Sequence, residues 1–293
     1  MSRIAVIGPG AVGGIAAAWL MQGGHDVTVC ARSPLSDLVI TTPDGPLSAK
    51  PGVLTDPADA QPVDWVLVAT KAYDVDSTAP WLARLMREDT ELAVLQNGVE
   101  HVERFRHLVP AERILPVVVD IPANRTAPGR IIQHVYGVMT VPAGKAGDAY
   151  VALFAGSRIT VRTDPDIVSR AWQKLCINAA GAVSTLTLNS TGPSWSEELE
   201  TIMRALVEEC AAVGRAEGAT IPQVVIETVI ERARNARPGG GRNSMEADRL
   251  AGRPMELDAR NGVIIRKGRQ HGIPTPMNAM MVGLLRAAVI PRD

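Results

Sequence analysis

Along the first half of the chain, short and continuously apolar runs alternate with longer stretches of helical character. "RIAVIG" (3–8) reads as a buried strand, "AVGGIAAAWLMQGG" (11–24) as a helix closed by glycines, and "DVTVCAR" (26–32) as a second strand. The alternation continues with "DWVLVAT" (64–70), a helical stretch around "APWLARLMRED" (79–89), and "ELAVLQNG" (91–98). "ILPVVVDI" (114–121) and "RIIQHVYGVMTV" (130–141) look like further strands. Strands that are apolar throughout, separated by helices, are the pattern of a parallel sheet covered on both faces.

After "TDPDIVSRA" (163–171) the strand-like runs disappear. "SEELETIMRALVEECAAVGRAEGA" (196–219) carries Leu199, Ile202, Met203, Leu206 and Cys210 at helical spacing. "MELDARNGVIIRKGRQHG" (255–272) is a second such segment, closed by Gly272 and Pro274. The glycine-rich "RPGGGRN" (237–243) reads as a loop, and no internal repeat is present. The expected organisation is an α/β domain, a Rossmann-type doubly wound sheet over residues 1–165, followed by an all-α domain over 166–293. A chain of 293 residues suits two such domains.

Composition narrows the function classes. Hydrophobic residues at 46% and charged residues at 21% describe an ordinary globular protein, and a net charge of −1 offers no electrostatic footprint for nucleic acid or an anionic membrane. Aromatics at 3% are too few for base-stacking platforms. Cys30, Cys176 and Cys210 lie far apart without a CxxC pair, so neither a disulfide framework nor a zinc or other metal site is expected. "MSRIAVIG" runs into a strand without a cleavable apolar stretch, and no apolar run has transmembrane length. The expected compartment is the cytoplasm.

Gly8-Pro9-Gly10-Ala11-Val12-Gly13 follows the first strand and opens the first helix. In that context GxGxxG is a dinucleotide-binding signature rather than a chance spacing. Gly8 makes the tight turn, Gly10 lets the backbone approach a pyrophosphate, and Gly13 lets helix and strand pack closely. The amides of the helix start, Ala11 and Val12 included, offer donors and the positive end of the helix dipole to the phosphates. An NAD site places Asp or Glu at the end of the second strand, whereas this strand ends with Arg32 and Ser33. The planar, permanently charged guanidinium of Arg32 suits a 2′-phosphate, which favours NADP(H).

Ligands of doubly wound sheets lie beyond the carboxyl ends of strands. Lys71 and Asn97 stand at such ends, in "VLVATKAYD" and "AVLQNGVE". Either alone is more often a loop residue or helix cap; together they read as lining one crevice. In "WQKLCINAAGA" (172–182), Lys174 and Asn178 lie four residues apart on an otherwise apolar helix, so on one face. A cation on a buried helix is costly unless it is paired or faces a wet cavity, though a lysine can also snorkel to solvent. Hydride addition to a carbonyl or imine carbon requires a nearby acid, and Lys174 is a candidate. Glu256 is expected in the first turn of a helix beginning near Pro254, either complementing the dipole or facing a cleft. Ser244 is either an N-cap or a hydroxyl aimed at a substrate carboxylate.

The series GxGAVGG, "TKAYD", "LQNGV", "WQKLCIN", "NSMEAD" and "GRPMELDARNGVIIRKGRQHGIPTP" resembles the ketopantoate reductase family from Gly8 to about Pro276. The resemblance implies a Rossmann domain and a helical domain, NADPH bound in a cleft between them, and reduction of a 2-keto acid, by default 2-dehydropantoate to pantoate for pantothenate biosynthesis. It implies Lys174 as general acid, with Glu256 in the active-site cleft. Asn178, Asn97 and Ser244 match its substrate contacts, with Ser244 on the carboxylate, and Lys71 and Asn97 its cofactor contacts. Two departures stand out: Ala182 replaces a second asparagine one turn beyond Asn178, and "NSTGPS" (189–194) replaces a polar segment. They raise the alternatives of another branched keto acid or an imine as substrate. A third reading is a non-catalytic NADP(H)-binding redox sensor, against which the polar face of residues 174 and 178 speaks. The helical domain could support a homodimer.

Overall fold

The apolar runs of the first unit (Met1–Ile167) pair side by side. β1 (Arg3–Ile7) leads through α1 (Ala11–Gln22) to β2 (Asp26–Cys30), then β3 (Leu38–Thr42), β4 (Gly45–Ala49) and β5 (Gly52–Leu54). β6 (Trp65–Val68), α2 (Ala79–Leu85), β7 (Glu91–Val94), α3 (His101–Phe105) and β8 (Ile114–Pro116) complete the alternating part. Six strands form one wholly parallel sheet in the order β5-β2-β1-β6-β7-β8. The chain works outward from β1 through β2 to β5, then returns and works outward the other way from β6. This is the Rossmann-type arrangement, whose crevice opens beyond the carboxyl ends of the strands at the reversal.

The continuous apolar runs have a direct cause. Ile4 and Val6 of β1, with Leu67 and Ala93, enter the core that receives Ile15 and Leu20 of α1. Ala5 and Ile7, with Val66, Val68, Leu92 and Val94, enter the opposite core with Trp81, Leu82 and Phe105. Neither face of the sheet meets water, so neither can be polar.

Two runs that read as single strands are each divided between sheets. The first yields β8 and β9 (Val118–Asp120), with Pro116 at the end of β8. The second yields β11 (Arg130–Gln133) and β12 (Val138–Pro142), separated by Gly137 at φ 74°, where a Cβ would lie 2.4 Å from the Asp120 carbonyl oxygen. β10 (Ala123–Ala127), β11, β3 and β4 form a four-stranded sheet. β13 (Thr160–Asp164), which follows α4 (Lys145–Leu153), joins β12 and β9 in a three-stranded one.

The structure is a computed structural model that describes residues 1–188, 196–235 and 242–288; the 189–194 segment and most of the loop read at 237–243 lie outside these. Among its described residues, the second unit (Val168–Asp293) contains helices joined by short connections and no strand. α5 (Ile167–Thr187) leads into α6 (Glu197–Ala216), α7 (Gln223–Arg234), α8 (Ser244–Leu250), α9 (Val263–Gln270) and α10 (Pro276–Ala287). A carbonyl-rich helix end needs donors, and Arg249 supplies them to α5, reaching the carbonyls of Thr185 at 2.7 Å and Leu186 at 2.6 Å. Glu209 caps α10 by accepting the amides of Met277 at 2.8 Å and Asn278 at 2.9 Å. No α-helix begins near Pro254; instead a π turn, Asp258–Gly262, precedes α9, closed by Gly262 N–H on the Leu257 carbonyl at 2.8 Å. Among the described residues, no helix is long and apolar enough to cross a membrane.

The interior of this unit settles the environment of Ala182, which packs fully buried against Leu206, Met245, Leu257, Met281 and Leu285. Eight residues beyond Lys174, a helix advancing 100° per residue has turned roughly 80° away from the lysine's direction. Position 182 belongs to the apolar core and not to the polar face. Ala182→Asn therefore buries an amide among hydrocarbons and overfills the site; it is expected to destabilise the protein by about 2 kcal/mol or more. Urea unfolding measures this, and a midpoint equal to the parent's would place residue 182 outside the core.

Candidate functional site

The first unit gathers its polar residues at the carboxyl ends of four strands. Directly after β1, Gly8 turns at φ 88°, and a Cβ there would lie 2.9 Å from Thr70 Cγ2. Gly10 caps α1, and the first turn of that helix holds no acidic residue. The other two glycines of the motif differ in what surrounds them. A Cβ on Gly13 would sit 2.3 Å from the Gly8 carbonyl oxygen, whereas one on Gly10 would meet nothing within 4 Å. Gly13 is thus required by the fold, and Gly10 faces open space beside the amides of Ala11 and Val12. That space, at the positive end of a helix with no carboxylate to oppose an anion, fits a pyrophosphate.

Arg32 lies exposed past β2, Lys71 past β6 and Asn97 past β7, the latter two half-buried. Three residues that sequence reading passed over hold these loops. Gln96 Nε2 donates to Thr70 Oγ1 at 3.1 Å and to the Lys71 carbonyl at 3.2 Å, tying the end of β7 to the end of β6. The Gln96 carbonyl is 2.9 Å from His101 Nε2, and Arg104 Nη1 donates to the Asn97 carbonyl at 2.8 Å. Burial and the Arg104 charge push His101 down to about 4. The ring is therefore neutral at physiological pH, and against a carbonyl its Nε2 must carry the proton. Their only sequence signal was proximity to Asn97.

In the second unit, α5 brings Lys174 and Asn178 onto one face; Lys174 is half-buried and Asn178 is 9% exposed. The helix is thus not buried all round, and the lysine sits where its ammonium need not lose all contact with water. Arg260, within the π turn, is only 3% exposed, and its Nη2 donates to Asn178 Oδ1 at 2.8 Å. Burial pushes the Arg260 guanidinium down to about 10, against the opposing fields of Glu256 and Asp248, so it stays charged at neutral pH. Its Nε and Nη1 have no hydrogen-bond partner among the described residues.

Glu256 is buried, but in the non-helical segment before the π turn rather than in a first helical turn. Ser244 is exposed at the start of α8, and the cap of that helix is its neighbour Asn243. Asn243 Oδ1 accepts the amides of Met245 and Glu246, both at 3.0 Å, while its Nδ2 donates to the Gly181 carbonyl at 3.0 Å and Ser184 Oγ at 2.9 Å. The Ser244 hydroxyl is therefore not spent on capping. The structure joins Arg260 to Asn178, one turn along α5 from Lys174, with Glu256 near enough to act on the guanidinium. Arg260 and Asn243 were not legible beforehand, since one depends on a π turn and the other on a one-residue shift of the cap.

Comparison with known proteins adds kinship to this geometry. Residues 4–146 match the family described as ketopantoate reductase PanE/ApbA, and residues 166–289 match its C-terminal counterpart. A 2-dehydropantoate 2-reductase of Caulobacter vibrioides is 54% identical, with 99% of this chain and 100% of that protein covered. A PanE/ApbA family ketopantoate reductase from Ralstonia eutropha JMP134 superposes with a TM-score of 0.87 at 30% identity, covering 97% of each chain. A ketopantoate reductase from Staphylococcus aureus, described as dimeric, superposes with a TM-score of 0.84 at 25% identity over 97% of this chain and 98% of that one.

The two glycines give separable outcomes. Gly13→Ala forces backbone against backbone and is expected to destabilise the protein by about 2 kcal/mol or more. Gly10→Ala is expected to keep the parental melting temperature while losing most affinity for NADPH. Thermal melts and fluorescence titration read the two effects, and a Gly10→Ala protein that binds NADPH as the parent does would remove the pyrophosphate assignment.

Proposed function

The chain belongs to the ketopantoate reductase family, and from that premise we infer that it reduces 2-dehydropantoate to pantoate with NADPH, a step of pantothenate biosynthesis. The observation that carries this is likeness to named reductases over the full length of the chain, both units included. The enzyme is an NADP-dependent oxidoreductase. Kinship does not favour the alternatives of another keto acid or an imine.

Residue roles follow from position and chemistry. The Gly8–Gly13 turn and the amides of Ala11 and Val12 would hold the pyrophosphate, Arg32 the 2′-phosphate, and Lys71 and Asn97 the nucleoside end facing the substrate. When bound, the reduced nicotinamide supplies a hydride to the ketone carbon. As negative charge builds on the ketone oxygen, the Lys174 ammonium donates the proton that completes the alcohol. Asn178 and Asn97 hydrogen-bond the substrate and Ser244 takes its carboxylate, while Glu256 holds the charge balance around the lysine face.

Two finer readings accompany this one. A homodimer is supported by the dimeric Staphylococcus aureus relative. A cytoplasmic enzyme is supported by its dependence on NADPH.

Lys174→Ala is expected to lower kcat by about 10²- to 10⁴-fold, the usual worth of a positioned acid, with NADPH affinity retained. Steady-state kinetics with 2-dehydropantoate and NADPH titration test this together. A variant that keeps near-parental kcat would remove Lys174 as the acid.

A further inference from the structure

Arg260 is a buried cation that the reaction described above does not use. Its Nη2 donates to Asn178 Oδ1 at 2.8 Å, and a guanidinium has donors and no acceptor. The amide of Asn178 can therefore face Arg260 only through its oxygen. The nitrogen prong, with both N–H groups, is turned away from the arginine. We propose that Arg260 is a positioning residue that fixes Asn178 as a donor, committing it to an acceptor oxygen of the bound keto acid. The proposal rests on the reading of Asn178 as a substrate-binding amide.

Cost and placement both support this. Nε and Nη1 of Arg260 have no hydrogen-bond partner among the described residues, and Arg260 is 3% exposed. Buried donors without partners are destabilising, and apolar residues of similar volume commonly replace buried ions without loss of stability. A position selected for stability alone would not keep a guanidinium here. The neighbouring Asn261 anchors the same turn, its Nδ2 donating to the Ala179 carbonyl at 3.5 Å and to Asn278 Oδ1 at 2.9 Å. Two consecutive side chains thus both hold the π turn, one on α5 next to the polar face and one on α5 and α10. In a regular α-helix, consecutive side chains diverge by about 100°. The π turn serves to deliver Arg260 to Asn178 while Asn261 keeps the turn in place. An amide held this way also selects its ligand: it welcomes an oxygen acceptor and rejects a donor at the same position.

The test is a double-mutant cycle read by steady-state kinetics with 2-dehydropantoate and NADPH, on the full chain. Asn178→Ala, Arg260→Met and the double variant are compared with the parent. Arg260→Met is expected to raise KM for the keto acid on the order of tenfold, with kcat within about threefold and NADPH affinity unchanged. In the Asn178→Ala background, the same change at 260 is expected to cost nothing further, because its effect passes through the amide. An unchanged KM for Arg260→Met, or losses that multiply in the double variant, would overturn the proposal. Should Arg260→Met lose its cooperative melt, Arg260→Lys replaces it in both backgrounds. It retains the charge but not the planar fork, and the same absence of a further loss in the Asn178→Ala background is required. Two other outcomes strike the underlying reading instead: no turnover by the parent removes the assigned reaction, and a parental KM for Asn178→Ala removes the amide as a substrate contact.

Discussion

A parallel sheet covered by helices on both faces has no wet surface of its own, and that constraint organises the first unit. Strand residues on one side feed the core beneath α1, and those on the other feed the core beneath α2 and α3. Polar chemistry is then confined to the strand ends, where the chain leaves the sheet. The Gly8–Gly13 turn, Arg32, Lys71 and Asn97 all occupy that edge. Even the support of the edge is local, since Gln96 bridges two adjacent strand ends and a neutral His101 holds the Gln96 carbonyl. Rigidity of the buried strands becomes precision at their termini.

The second unit meets the opposite problem, which is to keep polar groups on helices whose other faces are core. α5 does so by rotation: its polar positions stay aligned over one turn and have turned into the interior by the next. Buried charges of that interior include Asp248, which Arg253 holds at 2.9 Å. Arg260 is enclosed as well, with a side-chain hydrogen bond to Asn178. A charge in such surroundings is felt at longer range than one in water, because little solvent screens it.

The sheet and the helical half were legible because continuous apolar runs and a helical period are local signals. The glycine motif was legible because its spacing is itself the backbone geometry. The division of 114–121 and 130–141 between sheets was not, since an apolar run looks the same whichever sheet receives it. Lys174 and Asn178 could be placed on one face because four residues nearly complete a turn. Ala182, a further four residues on, lies in the apolar core, since the 40° left over at each step accumulates. The helix expected from Pro254 illustrates a further limit: its hydrophobic period is genuine in α9, but hydrogen-bond register at the helix start is not written in side-chain pattern. Arg260 was invisible for that reason, and Asn243 because capping is decided by one residue's backbone.

The π turn has a consequence for chain length. It closes a hydrogen bond across five residues where an α-helix spans four, so the segment between Leu257 and α9 holds one residue more than a helix there would need. Substitutions at most of its positions alter only side chains. Removing a single residue would let the segment relax into ordinary helix and swing everything before it by about 100° relative to α9. Among homologues, this stretch should tolerate replacement far more readily than insertion or deletion, so that its length, more than its composition, marks chains that keep a buried guanidinium beside α5.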